Sequence, residues 1–208
     1  VALGLATLSK ISGIILGPAL ALGVVLDVLR VGHYKVSHLF RKDQLLRLLV
    51  NSLILFGVAA LLCGWWFVRN LILYGELMGT NAWLSRTATV RSEPIGFLEV
   101  VPFLKDLVVS YWAMFGWFNI AATPWMYQVW WVLMGLASVG LISLLVDQWR
   151  SAKLARPVQA GLAVLVLAFL LIFGSVYRFV MIVLGAQGRY LGPVTAAISV
   201  LLMIGLDR

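Results

Sequence analysis

Four cations stand where apolar runs begin or end. Lys10 opens one run, Arg69 closes another with Asn70 directly after it, and Arg178 and Arg189 bracket a short link. Guanidinium groups grip phosphate through paired N–H bonds, so several on one face would make an anion site, and a phosphorylated lipid carrier would supply the anion. A lone arginine at a helix end can equally snorkel to head groups. The acid–base inventory is thin. Glu76, Glu93, Glu99 and Asp106 are the carboxylates of the same region, and none forms an Asp-x-Asp or Asp-Glu pair; each reads as a solvated loop residue. His33 and His38 sit five apart in a basic connection and read as loop residues too. No histidine lies within an apolar run, so a haem or chlorin in the membrane has no histidine ligand here. Cys63 is the single cysteine, which excludes an internal disulfide and any Cys-x-x-Cys metal or haem-attachment site. No glycine-rich phosphate loop, nucleophile elbow or zinc spacing is present; Gly185 and Gly188 lie close together but follow no strand.

The elements that must position these residues are set by composition. Of 208 residues, 62% are hydrophobic and 12% charged, with a mean hydropathy of +1.02. A soluble domain is nearer 45–50% apolar. The excess falls in blocks of about 20 residues, enough to cross a bilayer. The expected fold is all-α, a polytopic transmembrane bundle with spans near Ile11–Leu29, Leu48–Val68, Met126–Val146, Gln159–Tyr177 and Leu191–Leu206. The net charge of +8 fits lipid head groups rather than nucleic acid, because basic residues flank the spans. Arg30, Lys35, Arg41, Lys42 and Arg47 fill one connection, and Arg150, Lys153 and Arg156 another. The positive-inside rule makes loops 30–47 and 150–156 cytoplasmic, in a cell (inner) membrane, and residues 69–124 an extracytoplasmic loop. Residues 1–208 read as one transmembrane domain, a fragment of a larger protein: Val1–Leu8 is apolar but too short to span, and reads as the tail of a helix begun upstream, not as a signal peptide.

Within the outer loop, residues from about Gly96 to Trp112 are apolar but interrupted by Glu99, Lys105 and Asp106. That pattern suits an interfacial amphipathic helix, not a sixth span. Tryptophans gather at Trp65-Trp66, Trp112, Trp117, Trp125 and Trp130-Trp131. They read as an aromatic belt at the head-group layer. Trp65, Trp66, Trp112, Phe115 and Trp117 could alternatively wall a groove for a sugar, isoprenoid or pigment.

Four segments resemble the membrane glycosyltransferases that use polyprenyl-phosphate sugars, the C-type superfamily that includes protein O-mannosyltransferases. Gly4-Leu5-Ala6-Thr7-Leu8-Ser9-Lys10 is similar to the stretch that precedes a mid-protein helix there. Trp66-Phe67-Val68-Arg69-Asn70, with Tyr74-Gly75-Glu76-Leu77-Met78-Gly79, resembles a W-x-x-R-N…Y-G-D-P-L-G stretch of bacterial members. Ser110-Tyr111-Trp112, with Phe115-Gly116-Trp117, and Gly188-Arg189-Tyr190-Leu191-Gly192-Pro193 resemble two further segments. The resemblance implies sugar transfer on the extracytoplasmic face from a polyprenyl-phosphate sugar donor. Lys10, Arg69, Asn70, Tyr74, Arg178, Arg189 and Tyr190 would bind the lipid phosphate. It also places the family's catalytic carboxylate in a first outer loop that this sequence lacks, and Glu76-Leu77 stand where the pattern has Asp-Pro. The competing expectation is a non-catalytic subunit that binds lipid, carotenoid or quinone and packs against other membrane subunits, as in an energy-converting or photosynthetic complex.

Overall fold

The computed structural model describes residues 1–31, 34, 36–86, 90–93, 96, 99–115, 119–151, 154–185 and 187–208. Contacts divide the chain into two compact units, Val1–Ala88 with Ala155–Leu171, and Thr89–Leu154 with Ile172–Arg208.

Backbone N–H and C=O groups in hydrocarbon find no partner but each other, so the apolar runs become helices. In the first unit, α1 (Ala2–Ser9) leads through a 3-10 turn (Ile11–Leu16) into α2 (Gly17–Val31). The winding changes at Pro18, which has no N–H to extend the turn and whose fixed φ suits a helix start. A second 3-10 turn (Val36–Phe40) precedes α3 (Lys42–Ser52), which runs through a π-helical stretch (Leu53–Gly57) into α4 (Val58–Tyr74). The expected span Leu48–Val68 is therefore the middle of a longer helix of 33 residues. Arg69 and Asn70 do not end it. The apolar Leu71-Ile72-Leu73 carries the helix on to Tyr74. α1 packs on α4 through Gly4, where a Cβ would come 2.9 Å from the Leu62 Cβ. The buried Thr7 donates its hydroxyl to Leu3 O at 2.8 Å, which satisfies it within its own helix. A short helix, α5 (Thr80–Leu84), follows.

In the second unit, α6 (Val100–Ala113) leads into a hairpin of β1 (Met114–Phe115) and β2 (Ile120–Ala121). Then come α7 (Pro124–Ser151), α8 (Arg156–Ile182), a 3-10 turn (Gly188–Val194) and α9 (Thr195–Leu206); the first half of α8 belongs to the first unit. α7 and α9 meet at small residues. A Cβ on Gly205 would strike the Ala137 backbone, and one on Gly140 the Gly205 carbonyl. Such residues let membrane helices approach closely when there is no water to drive them together.

Among the described residues, five helical stretches are long and apolar enough to cross a bilayer: Ile11–Val31, Lys42–Tyr74, Pro124–Ser151, Arg156–Ile182 and Gly188–Leu206. The chain is an all-α, multi-pass membrane protein. In the second stretch only 6% of the apolar window is buried. Water would not tolerate that much apolar surface, whereas acyl chains do. The fifth span differs from expectation in its opening turn, where Pro193 sits in 3-10 rather than α geometry. α6 has 14 residues, about 21 Å of helix, which is too short to cross. It begins at Val100 rather than near Gly96, with Pro102 in the first turn, where an N–H would have no helical partner. One face buries Phe103 and Leu107, and Lys105 and Asp106 are exposed, so α6 is amphipathic as expected.

Candidate functional site

The end of α4 is a closed joint built from the residues around Arg69. Gly75 adopts a left-handed φ of 70°, and its N–H donates to Leu71 O at 3.0 Å, which stops the helix by the αL route that glycine permits. Asn70 is 2% exposed. Its Nδ2 donates to Leu77 O at 3.2 Å, folding the following turn back onto the helix. Glu76 then takes the N-terminus of α5: Oε1 accepts from Ala82 N at 2.9 Å and Oε2 from Asn81 N at 3.1 Å. This bidentate cap satisfies two donors of the first turn. Gly79, with φ 64°, lies against the Tyr74 ring. Arg69, one position before Asn70, is exposed, and its Nη1 reaches Asn70 Oδ1 at 3.5 Å. Successive helical residues point about 100° apart, so the pair divides its work: Asn70 faces inward and holds the joint, and Arg69 faces outward.

Lys10, in the same unit, is half-buried at the break between α1 and the 3-10 turn. Its N–H donates to Ala6 O at 2.9 Å, and its carbonyl accepts from Gly13 N at 2.8 Å.

The second unit has its own joint. Ser110 Oγ accepts the Gly188 N–H at 2.7 Å and donates to Asp106 O at 2.5 Å. A Cβ on Gly188 would collide with the Tyr111 backbone, so only glycine allows this approach. Two of the segments that carry the resemblance are thus docked on one another. Arg189 is exposed, with its Cζ 5.8 Å from the centre of the Tyr190 ring, within the range of a cation–π contact. Tyr190 meets Phe179 edge-on at 5.2 Å. Arg178 projects from α8 as an exposed side chain. The seven residues expected to bind lipid phosphate divide between the units. Lys10, Arg69, Asn70 and Tyr74 lie in the first, and Arg178, Arg189 and Tyr190 in the second.

The aromatic residues also separate. In the first unit Trp65 is exposed, and Trp66 meets Phe67 edge-on at 5.2 Å. In the second, Trp112 stacks on Trp130 at 3.8 Å and 8°, and its Nε1 donates to Met134 S at 3.3 Å. Phe115 is exposed on β1. Trp117, like His33, Lys35 and Lys153, lies outside the described residues. His38 lies in the 3-10 turn before α3.

Sequence reasoning missed Arg91. Its Nε donates to Val180 O at 2.7 Å, and its backbone N–H to Ile182 O at 2.8 Å. With Val183 N on Phe179 O, three of the last four carbonyls of α8 are satisfied, two of them by one residue. The Arg91 side chain is 19% exposed, and its Nη1 also meets Glu99 Oε2 at 3.6 Å. Nothing near Arg91 in the sequence signals this, because its partner lies 89 positions away. Glu76 left a faint signal, a carboxylate just ahead of a Gly79-Thr80 helix start. Among the described residues no group of His, Cys, Asp or Glu could hold a metal ion. Compared with known protein families, with curated proteins and with solved structures, the chain matches none.

Proposed function

We propose that this chain binds the phosphate of a polyprenyl-phosphate sugar donor and belongs to a C-type membrane glycosyltransferase working on the extracytoplasmic face. The observation that carries the reading is Arg69, an exposed guanidinium on a helix end that Asn70, Gly75 and Glu76 hold rigid. The helix end beneath it is fixed, and the planar fork of a guanidinium is itself pre-organised for phosphate. Arg178 and Arg189 supply further exposed cations on the second unit. Strict alternation of the spans, with basic loops 30–47 and 150–156 in the cytoplasm, puts the end of α4 and the α8–α9 link outside. Two of the four outer carboxylates are engaged elsewhere: Glu76 as a cap, and Glu99 with Arg91. The chain's contribution is donor binding.

The test is photo-crosslinking of the full chain in nanodiscs with a diazirine-tagged polyprenyl phosphate and with the matching polyprenol. The phosphate should label the chain several-fold more than the alcohol, and Arg69→Gln should remove most of that difference, since a charged hydrogen bond is worth about 1.5–3 kcal/mol. Equal labelling by alcohol and phosphate would end the reading. It would favour an accessory subunit whose exposed aromatic and apolar faces, such as Trp65 on α4, take neutral isoprenoids.

A further inference from the structure

The helix Lys42–Tyr74 holds more chain than a bilayer core requires. Its 33 residues extend about 50 Å at about 1.5 Å per residue, against a core of about 30 Å. With Lys42 at head-group level beside the basic turn, the surplus of about 20 Å is taken up by tilt and at the Tyr74 end. No residue of α3 is buried. Lys42, Leu46, Leu49, Val50 and Leu53 follow helical spacing and form one stripe. The four apolar members are 61%, 56%, 42% and 61% exposed. Asp43, Arg47 and Asn51 occupy another face, and Asp43 pairs with Arg41 at 3.7 Å. Lys42 and Arg47 are exposed and carry no ion pair among the described residues. Arg30 lies in the last turn of α2, against which α3 packs.

The stripe descends from a cation along four uncovered aliphatic side chains. Its eleven-residue rise is about 16 Å, close to half of the hydrocarbon core, which is the depth one acyl chain occupies. We propose that α3 seats a diacyl phospholipid with an anionic head group. Lys42 takes the phosphate, Arg47, about 7.5 Å further along the helix, snorkels its guanidinium up toward it, and Leu46, Leu49, Val50 and Leu53 line one acyl chain. A protein partner would cover the aliphatic residues but would not by itself answer two unpaired cations at the head-group end. An anionic lipid satisfies both in one molecule.

The test is native mass spectrometry of the full chain, released from micelles holding equimolar dioleoyl phosphatidylglycerol and dioleoyl phosphatidylcholine. Phosphatidylglycerol should be retained preferentially. Lys42→Gln with Arg47→Gln should lower the ratio about five-fold for each cation, the equivalent of about 1 kcal/mol apiece. Lys42→Arg should preserve it, and so should Arg150→Gln, at an exposed arginine outside α3. An unchanged ratio in Lys42→Gln/Arg47→Gln would overturn the proposal, as would an equal fall in Arg150→Gln, which would reduce the effect to net charge. Loss of the preference in Lys42→Arg, or a dimer that retains no lipid, would also overturn it.

Discussion

Glu76 is the residue on which a catalytic and a structural reading part. It stands where the resembling pattern has Asp, yet both of its carboxylate oxygens accept backbone N–H groups of α5. With both oxygens engaged, binding substrate there would require releasing the cap. Glu76→Gln keeps the shape but can accept at one oxygen only, and it sets an amide N–H₂ against the second donor. The expected cost is about 0.5–2 kcal/mol of stability, read as a lower unfolding midpoint, with crosslinking to polyprenyl phosphate unchanged. Crosslinking lost at an unchanged midpoint would instead make Glu76 a ligand. The sequence alone makes Arg69 a candidate, because a cation beside an apolar run is visible without coordinates. It does not separate Arg69 from Asn70. That needs the helix to continue to Tyr74, so that one side chain turns inward to Leu77 and its neighbour turns out.

At the scale of elements, long apolar runs were readable and joints were not. Helix existence follows from run length and the absence of water, so all five spans could be placed from composition; their ends moved because helices persist as long as residues such as Leu71-Ile72-Leu73 remain apolar. The joints depend on pairs distant in sequence, Ser110 with Gly188 and Arg91 with Val180, and no local period encodes them. Arg91 offers the sharper test. Its Nε holds an α8 carbonyl while Nη1 faces Glu99, a fork that lysine cannot reproduce with a single ammonium. Arg91→Lys should therefore behave nearly as Arg91→Gln. Both should speed amide hydrogen exchange at Val183 and at the start of α6 by roughly ten-fold, as expected for about 1.5 kcal/mol of local stability. Exchange that is fast in Arg91→Gln but native in Arg91→Lys would reduce the contact to simple charge.

At the scale of the whole molecule, the question is which way the spans are threaded. Five helical stretches among the described residues are long and apolar enough to cross; if each crosses once, alternation sets which ends share a side, and the sign comes from charge alone. Arg30, Arg41, Lys42 and Arg47 at one connection and Arg150 and Arg156 at another outweigh Asp43 and Asp147 nearby. Translocating a basic residue is opposed more than translocating an acidic one, so those connections should stay in the cytoplasm. α6 bears on the same argument, because a crossing by residues 100–113 would reverse everything after it; its 14 residues and its exposed Lys105 and Asp106, each costing about 2.5–3.5 kcal/mol at mid-bilayer, oppose that crossing. Cys63 is buried within α4 and should stay silent to a membrane-impermeant maleimide, so single added cysteines can be read against the native chain. Ser85→Cys, exposed after α5, should label in intact cells. Ser37→Cys, exposed in the turn before α3, should label only after the membrane is opened. Trp149, almost fully exposed beside Arg150, marks the cytoplasmic end of α7 in this arrangement, and a cysteine at Arg150 should follow Ser37→Cys. Labelling of Ser37→Cys in intact cells with Ser85→Cys protected would invert the protein. The lipid-phosphate reading of Arg69 would then have to move to the opposite leaflet.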